Sequence, residues 1–554
     1  MKKIVSIILC VLLLASCAFT GSAAEEKTPL TRVGSKVPVV LVGGDGDKLV
    51  DENGKEVFRF LDLGNAIGDT DTETIKESVL NVVKPLLVQG MLTGNFDPYY
   101  EALYNEVAEM FSDVLLDENG EPKNGSGITD ARKEEMRVAL SRDQKNYTAS
   151  GTYELFDYHF WYDWRLDPLY TADLLNDYIE QVKAVTGQPK VALLCRCVGS
   201  NVVLSYISKY GTSSLYSLGM CGVVGMNGSE PMSESISGKF SVNLPAIDRL
   251  IYDLNALGYL DLDPFVNSTL ELLAAGGMTN AALATAKATI YRVIVQGATS
   301  SLALSTFFSC PMYWACVNAK DYEDAKLYVF GPEGSEKRQQ YAGLIEKIDA
   351  YDAAVRQKLP ALLEEVRDTV DRVCIISKYG YQLSPVCESA DVLSDQIASV
   401  YSSSFGATTS LAYDTLSDEY IASRVAAGYG DYISPDLQVD ASTCLFPEQT
   451  WFAKGATHSN WTKGENALLY TVTTSEKALT TADTEVGRFF VEDNETGDWQ
   501  NMTAENCNTY NWDATPEAQR PQGFIARLRA FIRALRVWLS QLKVIIRERL
   551  ASKD

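Results

Sequence analysis

At 554 residues the chain can bury a large core, and length alone leaves room for several domains. Hydrophobic residues make up 46% and charged residues 22%, which is ordinary globular usage. A net charge of -24 argues against nucleic acid as a partner for the body of the protein.

The first residues have the layout of an export leader. Lys2 and Lys3 precede an apolar run, Ile4 to Leu14, that is too short to span a bilayer. Two cleavage readings stand side by side. Leu14-Ala15-Ser16-Cys17 resembles a bacterial lipobox that would lipidate Cys17, and Ser22-Ala23-Ala24 suits ordinary signal peptidase. Either makes 1–24 a leader and the protein secreted or anchored at the cell surface. Nine cysteines lie outside it, an odd and scattered set that predicts neither a disulfide framework nor a structural metal site.

The body begins with Val37 to Val42, a β-branched run ending in Gly43-Gly44-Asp45-Gly46, the pattern of a buried strand followed by a tight loop. Helical spacing follows at Thr74 to Gly90 and Tyr99 to Leu116, and Asp117 to Gly127 is a loop. Ala172 to Val185 has one apolar helical face and stops at Gly187. Lys190 to Cys195 predicts a strand, Asn201 to Tyr210 a helix and Met220 to Met226 another strand. Strand patterns return at Arg372 to Ser377 and Gln449 to Ala453. The alternation predicts an α/β fold with a mostly parallel sheet and helices on both faces.

The expected division is a core in two parts, 25–235 and 372–462, split by a helical cap insertion at 236–371. A polar extension then covers 463–522 and a basic helix 523–554.

The chemistry concentrates in Leu193 to Leu204, where a strand runs through a tight turn into a helix. That is the context of a nucleophile elbow. Cys195, Cys197 and Gly199 hold the Gly, Ser and Gly positions, while Ser200 and Asn201 open the helix. A thiolate at Cys197 would be favoured by the helix N-terminus, and the Val198 amide could donate to an oxyanion. The bland alternative makes both cysteines small buried hydrophobes at a strand end, and Cys195 is read that way. Of two histidines, His159 precedes the elbow in an aromatic run and reads as packed. His458 follows a strand and is the expected base. The expected acid is Asp436, with Asp440 in reserve, because both lie in a loop between elbow and histidine. The Asp45 amide is the second expected oxyanion donor, with Gly44 and Gly46 allowing close approach of the backbone.

These residues resemble the lecithin:cholesterol acyltransferase-like branch of the α/β-hydrolases. The likeness rests on Val39 to Leu49, on Tyr162-Asp163-Trp164-Arg165-Leu166-Asp167-Pro168, on Lys190 to Ser200, and on Asp436 to His458. It departs where Gly43 stands for a usual Pro and where Cys195 and Cys197 stand for Gly and the nucleophilic Ser. The resemblance implies an α/β-hydrolase fold and an acyl-ester hydrolase or acyltransferase acting on acyl esters or lipids, with no cofactor and no metal. Asp163 and Arg165 are expected to form a structural ion pair with Trp164 packed beneath.

Gly523 to Asp554 carries eight basic and two acidic residues beside a stripe that includes Phe524, Leu528, Phe531, Leu535 and Trp538. That predicts an amphipathic helix in contact with an anionic membrane surface, or else docked on the acidic body. Two rivals to the enzyme remain. One is an inactive hydrolase scaffold binding lipid or glycan at the surface; the other is thiol peptidase chemistry, for which no papain-like pattern surrounds Cys197.

Overall fold

The computed structural model describes residues 37–44, 48–57, 93–141, 158–226, 228–239, 300–383, 387–458, 462–492 and 499–507, with isolated positions between 90 and 300. The leader, the expected helix over 74–90 apart from Gly90, Asp45, Gly46 and the basic segment 523–554 lie outside the described residues.

Eight strands form the central sheet: β1 (Val39–Val42), β2 (Tyr158–Phe160), β3 (Val191–Cys197), β4 (Leu215–Val223), β5 (Val373–Tyr379), β6 (Thr450–Lys454), β7 (Phe489–Glu492) and β8 (Trp499–Asn501). Their order is β8-β7-β6-β5-β4-β3-β1-β2. All neighbours are parallel except the edge pair β7 and β8. The chain steps outward from β1 to β2, then returns to the other side of β1 with β3. The carboxyl ends of β1 and β3 therefore flank a topological switch point, where connections diverge and leave a crevice.

The strands are apolar because both faces are covered. Along β1, Val40 and Val42 join one core cluster, and Val39 and Leu41 join another. This is the period-two alternation of a strand. The first cluster packs under helices α1 (Pro168–Thr186), α2 (Gly199–Tyr210) and α5 (Leu359–Thr369), through residues such as Ile179, Val203 and Leu363. The second packs under α6 (Lys463–Thr474), through Leu468, Leu469 and Val472. Between β4 and β5 lie α3 (Glu230–Ile236) and, among others, α4 (Ala342–Tyr351).

Several boundaries move for identifiable reasons. Helix α1 begins at Pro168, ahead of its apolar spacing, because Asp167 accepts from the Leu169 amide and Pro168 suits the first turn. Gly187 ends it with φ of +68°. The described C-terminal end of the expected insertion 236–371 belongs to the core. Leu359, Leu362, Leu363 and Val366 of α5 pack on the sheet as part of the first core, as a crossover helix before β5 should. The polar stretch from 463 is likewise not an extension through Asn501. It supplies α6, β7 and β8, because a thin apolar stripe was hidden among polar neighbours. A capping box, in which Thr462 accepts from the Glu465 amide and Glu465 accepts from the Thr462 amide, starts α6.

The Tyr162 to Pro168 stretch is structural. Arg165 is fully buried and grips Asp163 through Nε at 2.9 Å and Nη2 at 2.6 Å, while donating also to Val114 O and Ser126 Oγ. Trp164 packs beside Phe307. His159 is buried on β2 with its ring against Trp161. The nine cysteines among the described residues are all buried thiols.

Candidate functional site

Cys197 is the last residue of β3 and has φ of +46°. A side-chain-bearing residue in the left-handed region costs about 1–2 kcal/mol, so the surrounding structure must enforce it. Here β3 must turn at once into α2, which begins at Gly199. Ser200 Oγ donates to Cys197 O at 2.7 Å, and the Asn201 amide donates to Val198 O at 2.9 Å, locking the first helical turn. Cys195 lies beneath the turn in the first core, where burial pushes its thiol well up, with the neighbouring Cys221 adding to the effect.

The loop after β1 presses on this turn so closely that only glycine fits. A Cβ on Gly44 would lie 2.8 Å from Cys197 Cβ and 3.7 Å from its Sγ. A Cβ on Gly199 would lie 2.3 Å from Gly43 O, the oxygen to which Tyr162 Oη donates at 2.9 Å. The switch-point crevice thus brings Gly43-Gly44, Cys197 and the N-terminus of α2 together. Those are the elements an oxyanion-binding elbow requires.

The second cluster forms at the carboxyl ends of β5 and β6. His458, in the loop after β6, places Nδ1 2.8 Å from Asp395 Oδ2, and its backbone amide donates to Asp395 O at 2.9 Å. Asp395 has no exposed surface, and its Oδ1 accepts from the amides of Ile397 at 3.0 Å and Ala398 at 2.8 Å. Burial by itself would raise this carboxyl. His458 beside it and those two amides outweigh burial and hold it below the ordinary range. A neutral imidazole that donates from Nδ1 to this carboxylate would have Nε2 as its acceptor.

Asp436 does not reach His458. Its Oδ2 accepts from Lys454 Nζ at 2.7 Å and Tyr379 Oη at 3.1 Å, and its Oδ1 from Ser434 Oγ at 2.5 Å and the Gln438 amide. Asp440 accepts from Arg424 and Tyr420 and from the Ser442 amide. Both carboxylates hold turns together, and the partner of His458 is Asp395. Asp395, Asp436 and Asp440 all lie in the connection between β5 and β6, so chain position does not separate them.

Two buried routes join the elbow to the histidine. In the first, Asn201 Nδ2 donates to Cys316 Sγ at 3.3 Å, the Ser229 amide donates to Cys316 O at 2.9 Å, and Ser229 Oγ donates to Ile397 O at 3.0 Å beside Asp395. In the second, Arg196 bonds Asn466 on α6, the adjacent Glu465 pairs with Lys378, and Lys378 Nζ donates to His458 O. Among the described residues, no three His, Cys, Asp or Glu side chains converge to hold a metal ion.

Fold and site together define an α/β protein whose mostly parallel sheet carries, at one edge, a strained strand–turn–helix and an imidazole–carboxylate pair. No family model matches the chain, and no curated protein matches it. A similar solved structure is a chain of the Tle4–Tli4 complex, at 14% identity and a TM-score of 0.17, covering 36% of this chain and 48% of that one. This chain thus spans about half the length of that neighbour. So loose a superposition leaves any functional reading to rest on the geometry above.

Proposed function

We propose that the protein is an exported acyl-ester hydrolase or acyltransferase of the α/β-hydrolase type, with Cys197 as nucleophile, His458 as base and Asp395 as the acid that orients it. The observation that carries the reading is the left-handed backbone of Cys197 at the switch point, wedged against Gly44 where no other residue fits. The Asp395–His458 pair supplies the second half of a triad, in the chain order nucleophile, acid, histidine.

In this mechanism His458 Nε2 takes the Cys197 proton, and Sγ attacks the ester carbonyl. The Val198 amide, and the Asp45 amide expected from the sequence, donate to the oxyanion. Collapse of the tetrahedral adduct breaks the C–O bond, and His458 returns its proton to the departing alcohol. Water, or an acceptor alcohol in transfer, then attacks the thioester with His458 again as base, and Cys197 is released as the thiol. The positive end of α2 favours the anionic sulfur. The leader and the basic segment 523–554 favour action near a membrane, on lipid or other acyl substrates.

The test is hydrolysis of a graded series of p-nitrophenyl acyl esters by the mature protein beside Cys197→Ala and His458→Ala. Turnover in the parent that disappears in both folded variants supports the triad, and the preferred chain length describes the acyl pocket. A parent as inert as Cys197→Ala across the whole series overturns the reading in favour of a scaffold that binds lipid or glycan.

A further inference from the structure

We infer that Lys378 is a positioning residue, an ammonium sealed within the protein that holds the His458 loop in register with the elbow. The inference rests on the reading of His458 as the base. Lys378 lies one residue before the end of β5, and neither its side chain nor that of Glu465 has any exposed surface. Its Nζ lies 2.8 Å from Glu465 Oε1 and donates to Thr457 O and His458 O, each at 3.4 Å.

A lysine buried this completely is costly to keep charged, and a hydrophobic pair of similar volume would serve packing as well or better. What the apolar pair could not do is donate to two backbone carbonyls of the histidine loop. Glu465 is committed in turn, since its Oε2 accepts from the Thr462 amide in the capping box of α6. Next to it Asn466 takes the guanidinium of Arg196, the residue immediately before Cys197. The N-terminus of α6 therefore holds both the strand that ends in the nucleophile and the loop that carries the base.

In register, Arg196 of β3 lies opposite Cys221 of β4, and Cys221 lies opposite Ile376 of β5, two residues before Lys378 on the same face. Against His458 itself stand Asp395 on its ring and Lys378 on its carbonyl. Lys378 of β5, paired with Glu465 of α6, thus holds the backbone of His458, while Asp395 holds its ring.

The experiment compares the full-length parent, Lys378→Met and the double variant Lys378→Met with Glu465→Gln, which removes the charge and keeps an acceptor for the Thr462 amide. It uses thermal unfolding, ester kinetics and the imidazole NMR signals. Only two histidines exist, so His159 serves as an internal reference. Lys378→Met strands the Glu465 carboxylate and should unfold at lower temperature, whereas the double variant removes both charges and should recover stability. If Lys378 positions the loop, the double variant still loses about a hundredfold in kcat with KM little changed. Its His458 Nδ1–H signal exchanges faster with water than in the parent, and His159 is unmoved. Recovery of both stability and kcat, with an unaltered His458 signal, overturns the inference and leaves the ion pair a packing device. If the parent has no esterase activity, the functional proposal fails by itself. The His458 exchange measurement still decides the role of Lys378.

Discussion

Replacing Asp395 with Asn tests the central geometry most directly. The amide keeps an oxygen for the Ile397 and Ala398 amides now at 3.0 and 2.8 Å, so the loop should persist. It sets an NH2 group against His458 Nδ1 in place of the carboxylate oxygen at 2.8 Å. Two donors cannot share that position, so the ring must move its proton to Nε2 and present Nδ1 as the acceptor. Nε2 then has no lone pair with which to take the Cys197 proton. An exchange of this kind in a triad costs about ten-thousandfold in kcat, or about 5 kcal/mol of barrier. Loss of the charge-assisted bond should destabilise the fold by about 1.5–3 kcal/mol. The assay is ester hydrolysis with denaturant unfolding in parallel, and Asp436→Asn is the control. Asp436 holds Lys454, so its variant should lose about 3 kcal/mol of stability and keep its rate while folded. An Asp395→Asn enzyme within a few-fold of the parent, beside an inactive but folded Asp436→Asn, would refute the assignment.

The remaining expectations concern the close approach and the buried acid. Gly44→Ala inserts a Cβ 2.8 Å from Cys197 Cβ, so one backbone must yield by roughly half an ångström or more. The expected result is about 1–3 kcal/mol of lost stability and a large fall in kcat, read by thermal unfolding and ester kinetics; a variant equal to the parent in both means the two segments are not pressed together in solution. Glu230 is buried beside the acid loop and accepts from Ser399 Oγ at 2.6 Å; burial raises its carboxyl above the ordinary range. A raised folded value means its contribution to stability is complete below the unfolded value of about 4.3 and is lost as pH rises through the folded one. Glu230→Gln should therefore gain stability relative to the parent as pH climbs from 4 to 7, measured by thermal unfolding across that range. A constant difference between the two proteins would show that Glu230 does not titrate as the fold implies.

Much of the sheet was legible because strands buried on both faces read as unbroken apolar runs, as in Val39 to Val42 and Val191 to Leu194. The edge strand Tyr158 to Phe160 was not, since a histidine between two aromatic residues is too short a run to show a period. Helix α6 escaped because its buried stripe is thin and its first turn is Thr-Lys-Gly-Glu, although Thr462 and Glu465 are a capping pair that sequence alone displays. The Arg165–Asp163 pair was expected within the stretch that carries the family resemblance, and the structure shows both side chains buried in it.

The amino-acid sequence by itself determined the local decisions. The β3 run, the small residues at its end and the helix that follows oblige Cys197 to sit in a tight turn, since these are contests between neighbouring residues. It also left His458 as the candidate base, by scarcity and by the chain order expected of the proposed triad. Which carboxylate meets that imidazole was decided only by tertiary structure. Asp395 and Asp436 both lie in loops between elbow and histidine, and nothing in their immediate neighbours separates them. Lys454 takes one and His458 the other, because partners 18 and 63 residues away are set by sheet order and by the burial that makes an unpaired charge costly. Lys378 was invisible for the same reason: on the chain it is a lysine near the end of a strand, and only the packing of α6 turns it into a buried ammonium beneath the histidine.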